Sequence, residues 1–131
     1  MAVAKHLAFL DQGAEAWNRW REEFPKLRPG LTGAKLAGRE FGKMDLKKVN
    51  LSGADLSGSD FTGSDLGWAD LSGADLRRAD LSGARLIFAD LTGADLRDAR
   101  GLNRMQVGEA ITDKATRLPG DLDRPAEARR S

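Results

Sequence analysis

A leucine or phenylalanine recurs at every fifth position from Leu31 to Leu96, fourteen times without a break: Leu31, Leu36, Phe41, Leu46, Leu51, Leu56, Phe61, Leu66, Leu71, Leu76, Leu81, Leu86, Leu91 and Leu96. A period of five fits neither the 3.6-residue helix nor the two-residue strand. It demands a repeat architecture. Two residues before each of these centres, from Ala54 to Ala94, stands Ala or Ser. The residue between is usually Asp: Asp55, Asp60, Asp65, Asp70, Asp75, Asp80, Asp90, Asp95. The centre and the small residue form an inward apolar pair. The remaining positions carry Asp, Ser or Thr and often Gly, which is surface and turn chemistry. A chain that turns a corner every five residues closes a square coil in four repeats. Stacked coils then sit ~4.8 Å apart, the spacing of hydrogen-bonded strands. Residues 29–98, at twenty per coil, make about 3.5 coils.

Stacking by twenty sorts the residues into columns. The last position of the repeat reads Gly33, Gly53, Gly73, Gly93 down one corner. Down a neighbouring corner it reads Lys48, Trp68, Phe88. Gly at the third position of a turn permits positive φ, as in a type II turn. The glycine corner is therefore expected to be type II throughout. The Lys48–Trp68–Phe88 corner is expected to use a turn that tolerates side chains, without positive φ. Phe41 and Phe61 share a column inside.

The motifs A-D-L-S-G, A-D-L-R-R and A-D-L-T-G resemble the A-(D/N)-L-x-x signature of the pentapeptide-repeat proteins. The resemblance covers residues 29–98, rather more than half of the chain. It implies a mainly β fold, the right-handed quadrilateral β-helix, and the handedness comes from the resemblance alone.

The 131 residues fit a single domain. It divides into an N-terminal capping helix at 1–28, the solenoid at 29–101, and a short C-terminal helix with an extended tail at 102–131. Val3, Leu7, Leu10, Ala14, Trp17 and Phe24 form an amphipathic stripe, predicting one helix over 2–24 that Gly13 weakens and Pro25 and Pro29 end. It would cover the open end of the first coil. A partner-binding or dimerising helix is the other reading. His6, on this helix, reads as a surface residue. Arg39 occupies a small-residue position, so its guanidinium must reach the cap or solvent. The register breaks at Gly101 and Leu102. Asn103 and Gln106 then match a capping box, starting a helix to about Ala110. Residues 111–125 read as a tail anchored by Leu118 and Leu122, with fraying expected from Glu127 to Ser131.

No catalytic constellation is legible, so no enzyme, catalytic residue, cofactor or metal site is expected. There is no cysteine and one histidine. The Asp columns are spread over all sides and do not converge as acid–base pairs must. Cation binding along them is the one exception considered. No phosphate-binding G-x-x-x-x-G-K-[ST] occurs. No apolar run approaches membrane-spanning length and Met1–Leu10 lacks a signal-peptide core, so a cytoplasmic protein without a membrane partner is expected. The net charge of +1 gives no overall pull toward nucleic acid.

Two functions follow. The first is a structural or protein-interaction module with an unidentified partner, as a monomer or weak dimer. The second comes from the resemblance: some family members mimic duplex DNA and bind gyrase. Duplex DNA carries about ten charges over the ~17 Å that 3.5 coils span. Residues 29–98 hold eleven Asp and Glu against nine Lys and Arg, a net of −2. That balance argues against mimicry. The candidate interaction patch is Trp68, Ile87 and Phe88, an outward aromatic pair with an apolar neighbour. Either the chain's own tail, through Leu118 or Leu122, folds over it, or a partner or second copy docks there.

Overall fold

The computed structural model describes residues 1–122, and the expected fraying of Glu127–Ser131 lies outside them. The repeat region is a coil of five-residue sides. Residues twenty apart form parallel bridges on every side: Asn50 with Asp70 and Asp70 with Asp90, Asp55 with Asp75, Asp60 with Asp80, Asp45 with Asp65. Four sides therefore make one turn. Each side contributes a bridge residue and not a multi-residue strand. The Leu71 N–H donates to the Asp90 carbonyl at 2.8 Å, and the Asp90 N–H donates to the Ala69 carbonyl at 2.9 Å. Between sides, a turn closes with the small residue's N–H on the preceding centre's carbonyl, as Ala74 on Leu71 at 3.0 Å. The centres fill the interior; Leu46, Leu51, Leu56, Leu66, Leu71 and Leu76 are fully buried. Phe41 and Phe61 stack there, centroids 4.9 Å apart.

Every corner has the same backbone. The third turn residue has positive φ in all fourteen repeats, at Gly33, Gly38, Gly53, Gly58, Gly63, Gly73, Gly83 and Gly93, and also at Lys43, Lys48, Trp68, Arg78, Phe88 and Asp98. The expectation of a separate turn type for Trp68 and Phe88 is overturned: their φ values are 61° and 56°. The coil imposes this. Most corners deliver one amide to the carbonyl of the next coil, as Gly73 does to Thr92 and Trp68 to Ile87. One turn geometry serves both, whatever the side chain. The outward Asp residues hold the turns from outside. Asp70 Oδ1 accepts from the Ser72 N–H at 3.0 Å and the Ser72 hydroxyl at 2.6 Å. Asp75 and Asp95 are instead gripped by Arg77 and Arg97, whose hydrogen bonds hold both carboxyls below the usual range.

The N-terminal cap is two helices, α1 (Ala4–Asp11) and α2 (Ala14–Glu23), and not one. Gly13, at φ 97°, does more than weaken the helix: it breaks it in two. The pair replaces a missing coil. Trp17 Nε1 donates to the Asp45 carbonyl at 2.7 Å, and Asn18 Oδ1 accepts from the Asp45 N–H at 2.7 Å. Buried Arg21 donates to the Leu27 and Lys47 carbonyls. His6 is no idle surface residue. Its Nδ1 accepts from the Gly30 N–H at 2.8 Å and its ring packs on Trp20. Burial, then Lys5 and Arg21, push its pKa below the usual value. Arg39 reaches Asp11 at the end of α1, at 2.6 Å.

At the other end, Gly101 stands where the fifteenth centre would fall. An added Cβ would lie 2.0 Å from Ser82 Oγ, and φ is 75°, so the chain leaves the register on a glycine. Helix α3 (Arg104–Glu109) starts at the Asn103–Gln106 capping box, and Gln106 donates to the Leu81 and Ala84 carbonyls. The chain then resumes the coil. Ile111 bridges Asp90 and Arg117 bridges Asp95, at separations of twenty-one and twenty-two that absorb the inserted residues. Leu118 packs on the core and Leu122 is buried.

Candidate protein-interaction site

The corner that precedes Asn50, Asp70 and Asp90 carries the aromatic pair. Trp68 and Phe88 lie one coil apart with ring centroids 4.5 Å apart, tilted by 30°. Both face solvent, with 55% and 51% of their surfaces exposed, and Ile87 beside them is 42% exposed. The Phe88 N–H donates to the Glu109 carbonyl at 2.8 Å, so Glu109 caps this corner one level up. One level below Trp68 stand Lys47 and Lys48, both exposed. Arg28 straps the lower part, donating to the Lys48 and Trp68 carbonyls at 3.2 and 3.3 Å.

Sequence spacing alone placed Trp68 and Phe88 one coil apart in one column, and their rings are in contact. The proposed cover is not there among the described residues. The tail follows the coil through its bridges at Ile111 and Arg117, and Leu118 packs on the core. Closing an open apolar core removes more surface from water than covering two half-exposed rings would. Sequence reading missed Ile111, 47% exposed on the side next to this corner. Its placement depends on the twenty-one-residue bridge to Asp90, a register shift that an uninterrupted period of twenty could not reveal.

Elsewhere the surface offers less. A groove between α1 and α2 is lined by Phe9, Trp20 and Phe24 with Lys5, Arg19 and Glu23, and a shallow one by Arg97, Asp98, Arg117 and Leu118. Among the described residues no three His, Cys, Asp or Glu side chains are grouped to hold a metal ion. No described helix is long and apolar enough to cross a membrane.

The model of the pentapeptide repeats matches residues 31–63 and 59–98. Among solved structures, the chain is similar to alr5209, a pentapeptide repeat protein from Nostoc PCC 7120. The identity is 38%, with 74% of this chain and 75% of that one covered, at a TM-score of 0.46. It is also similar to the pentapeptide repeat protein Rfr23 from the cyanobacterium Cyanothece 51142, at 32% identity over 71% and 67%, TM-score 0.40. A third is AT2G44920 from the Arabidopsis thaliana thylakoid lumen, at 30% identity over 76% and 71%, TM-score 0.33. No curated protein sequence matches. The family model spans the in-register centres from Leu31 to Leu96, the same residues whose bridges recur every twenty positions, and this chain belongs to the pentapeptide-repeat family.

Proposed function

We propose that this protein is a non-enzymatic scaffold: a right-handed, four-sided solenoid of about 3.5 coils that presents the Trp68–Ile87–Phe88 corner to a protein partner. One observation carries the reading. Trp68 and Phe88 are large, half exposed and held at positive φ, where an L side chain is strained and glycine is not. The other non-glycine residues at such positions are Lys43, Lys48, Arg78 and Asp98, all polar. An exposed aromatic pair at a strained position serves neither folding nor solubility, and contiguous exposed apolar surface marks interaction sites.

The test compares the immobilised protein with the Trp68→Gly/Phe88→Gly variant, whose backbone at both positions suits glycine. A partner retained by the first and lost from the second, with thermal stability no lower than the parent's, is the expected result. Identical captured sets, together with a chain that does not pair with itself at any concentration, would refute the assignment. Duplex mimicry is disfavoured by the repeat region's net charge of −2. A gyrase supercoiling assay is expected to show no effect, and inhibition would favour mimicry instead.

A further inference from the structure

The order of residues along this corner has a symmetry. From the N-terminal end upward come Lys47 and Lys48, then Trp68 with Gly67, then Phe88 with Ile87, then Glu109. Cations stand one level below the aromatic pair and a carboxylate one level above it. The edge is therefore its own complement when turned end over end about the midpoint of the two rings.

We propose that the partner of this corner is a second copy of the chain, paired antiparallel across a two-fold axis between Trp68 and Phe88. This rests on the reading of the corner as an interaction surface. Trp68 of one copy meets Phe88 of the other, and Glu109, which continues the Lys47–Gly67–Ile87 column, meets Lys47 with Lys48 beside it. Isologous two-fold pairing is the commonest closed assembly, and it makes each of these contacts twice. A parallel pairing would instead set Lys48 against Lys48 and Glu109 against Glu109, so the charges select the antiparallel form. The charges are available. Among the described residues Lys48 and Glu109 have no ion pair, and Lys47 has a 3.7 Å contact with Asp45. The area sets the strength. Half-exposed Trp68 and Phe88 leave roughly 200 Å² of aromatic surface per copy. Even with Ile87 and Ile111, two copies fall short of the ~1,200–2,000 Å² of stable complexes. The dimer is weak and concentration-dependent.

Sedimentation velocity of the full chain over a wide concentration range is expected to show a reversible monomer–dimer equilibrium. Trp68→Gly abolishes it while the fold is kept. Lys48→Glu and Glu109→Lys each weaken it roughly tenfold or more, since each sets like charges face to face twice. The two combined restore it. A chain monomeric at every concentration overturns the proposal, as does a double swap that fails to rescue. If the monomer keeps Trp68 open to quencher and a foreign protein is lost on Trp68→Gly, the second copy is wrong but the interaction surface stands. If Trp68 is shielded in the dilute monomer and freed by deleting residues 123–131, both readings fail.

Discussion

Two substitutions in one column isolate the energy of the corner backbone. Gly58 and Arg78 occupy the same turn position in successive coils, with φ of 68° and 61°. A Cβ added at Gly58 would meet nothing within 4 Å, so Gly58→Ala changes backbone strain and chain entropy without a clash. Arg78 is exposed, and no hydrogen bond or ion pair of its side chain is found among the described residues, so Arg78→Gly removes little contact. Left-handed backbone costs an L-residue about 1–2 kcal/mol. Glycine's greater freedom in the unfolded chain offsets about 0.5–1 kcal/mol of that. The difference, about 0.5–1 kcal/mol, should appear with opposite sign in the two variants: Gly58→Ala less stable, Arg78→Gly more stable. Equilibrium denaturation with urea at unchanged m-value reads it directly. If Arg78→Gly is less stable than the parent, positive φ is not what limits the choice of residue at the corner, and the strain attributed to Trp68 and Phe88 falls with it.

Other outcomes follow from single sites. Leu71→Ala should cost ~2–5 kcal/mol in denaturation, and Asp70→Ala clearly less, since its two hydrogen bonds to Ser72 contribute about 0.5–1.5 kcal/mol each and the like charge of Asp90 in the same column offsets part of that; equal losses would contradict the inward and outward assignment. Ser64 Oγ is buried without a hydrogen-bond partner among the described residues, so Ser64→Ala should stabilise by ~1 kcal/mol, and a clear loss would reveal an interaction at that hydroxyl. His6, with its pKa lowered by burial, Lys5 and Arg21, takes up a proton more readily once the cap opens. The unfolded chain therefore binds the extra proton first, and stability falls as pH drops below about 6.5 toward the depressed folded value. His6→Gln should flatten that part of the pH profile. The carboxyls of Asp75, Asp80 and Asp95 are also lowered, so their contribution is lost separately, at pH below about 4.

The sequence carried the repeat well because each centre obeys one local rule, and a period of twenty follows from four such rules closing a turn. It also placed Trp68 over Phe88, since column neighbours are fixed by that period. What it hid depends on three-dimensional closure. Glycine at only eight of fourteen corners suggested two kinds of turn, whereas the interlocking amides require one. Nothing in the spacing around Gly13 distinguished one weakened helix from two separate ones. His6 gained its role only when α1 was laid over Gly30, twenty-four residues away. The tail's course depends on how α3 is inserted at the end of the coil, so neither Ile111 nor the burial of Leu122 could be placed from the repeat.

The openness of the aromatic corner carries the functional account, and acrylamide quenching of the full-length chain at high dilution measures it. Trp17 is fully buried and Trp20 nearly so, at 0% and 7% exposure, against 55% for Trp68. The account predicts one readily quenched emission component, absent from the Trp68→Phe variant, alongside two protected tryptophans. Protection of Trp68 as complete as that of Trp17 in the dilute chain would mean that the protein covers its own corner, and would contradict the interaction site at its root.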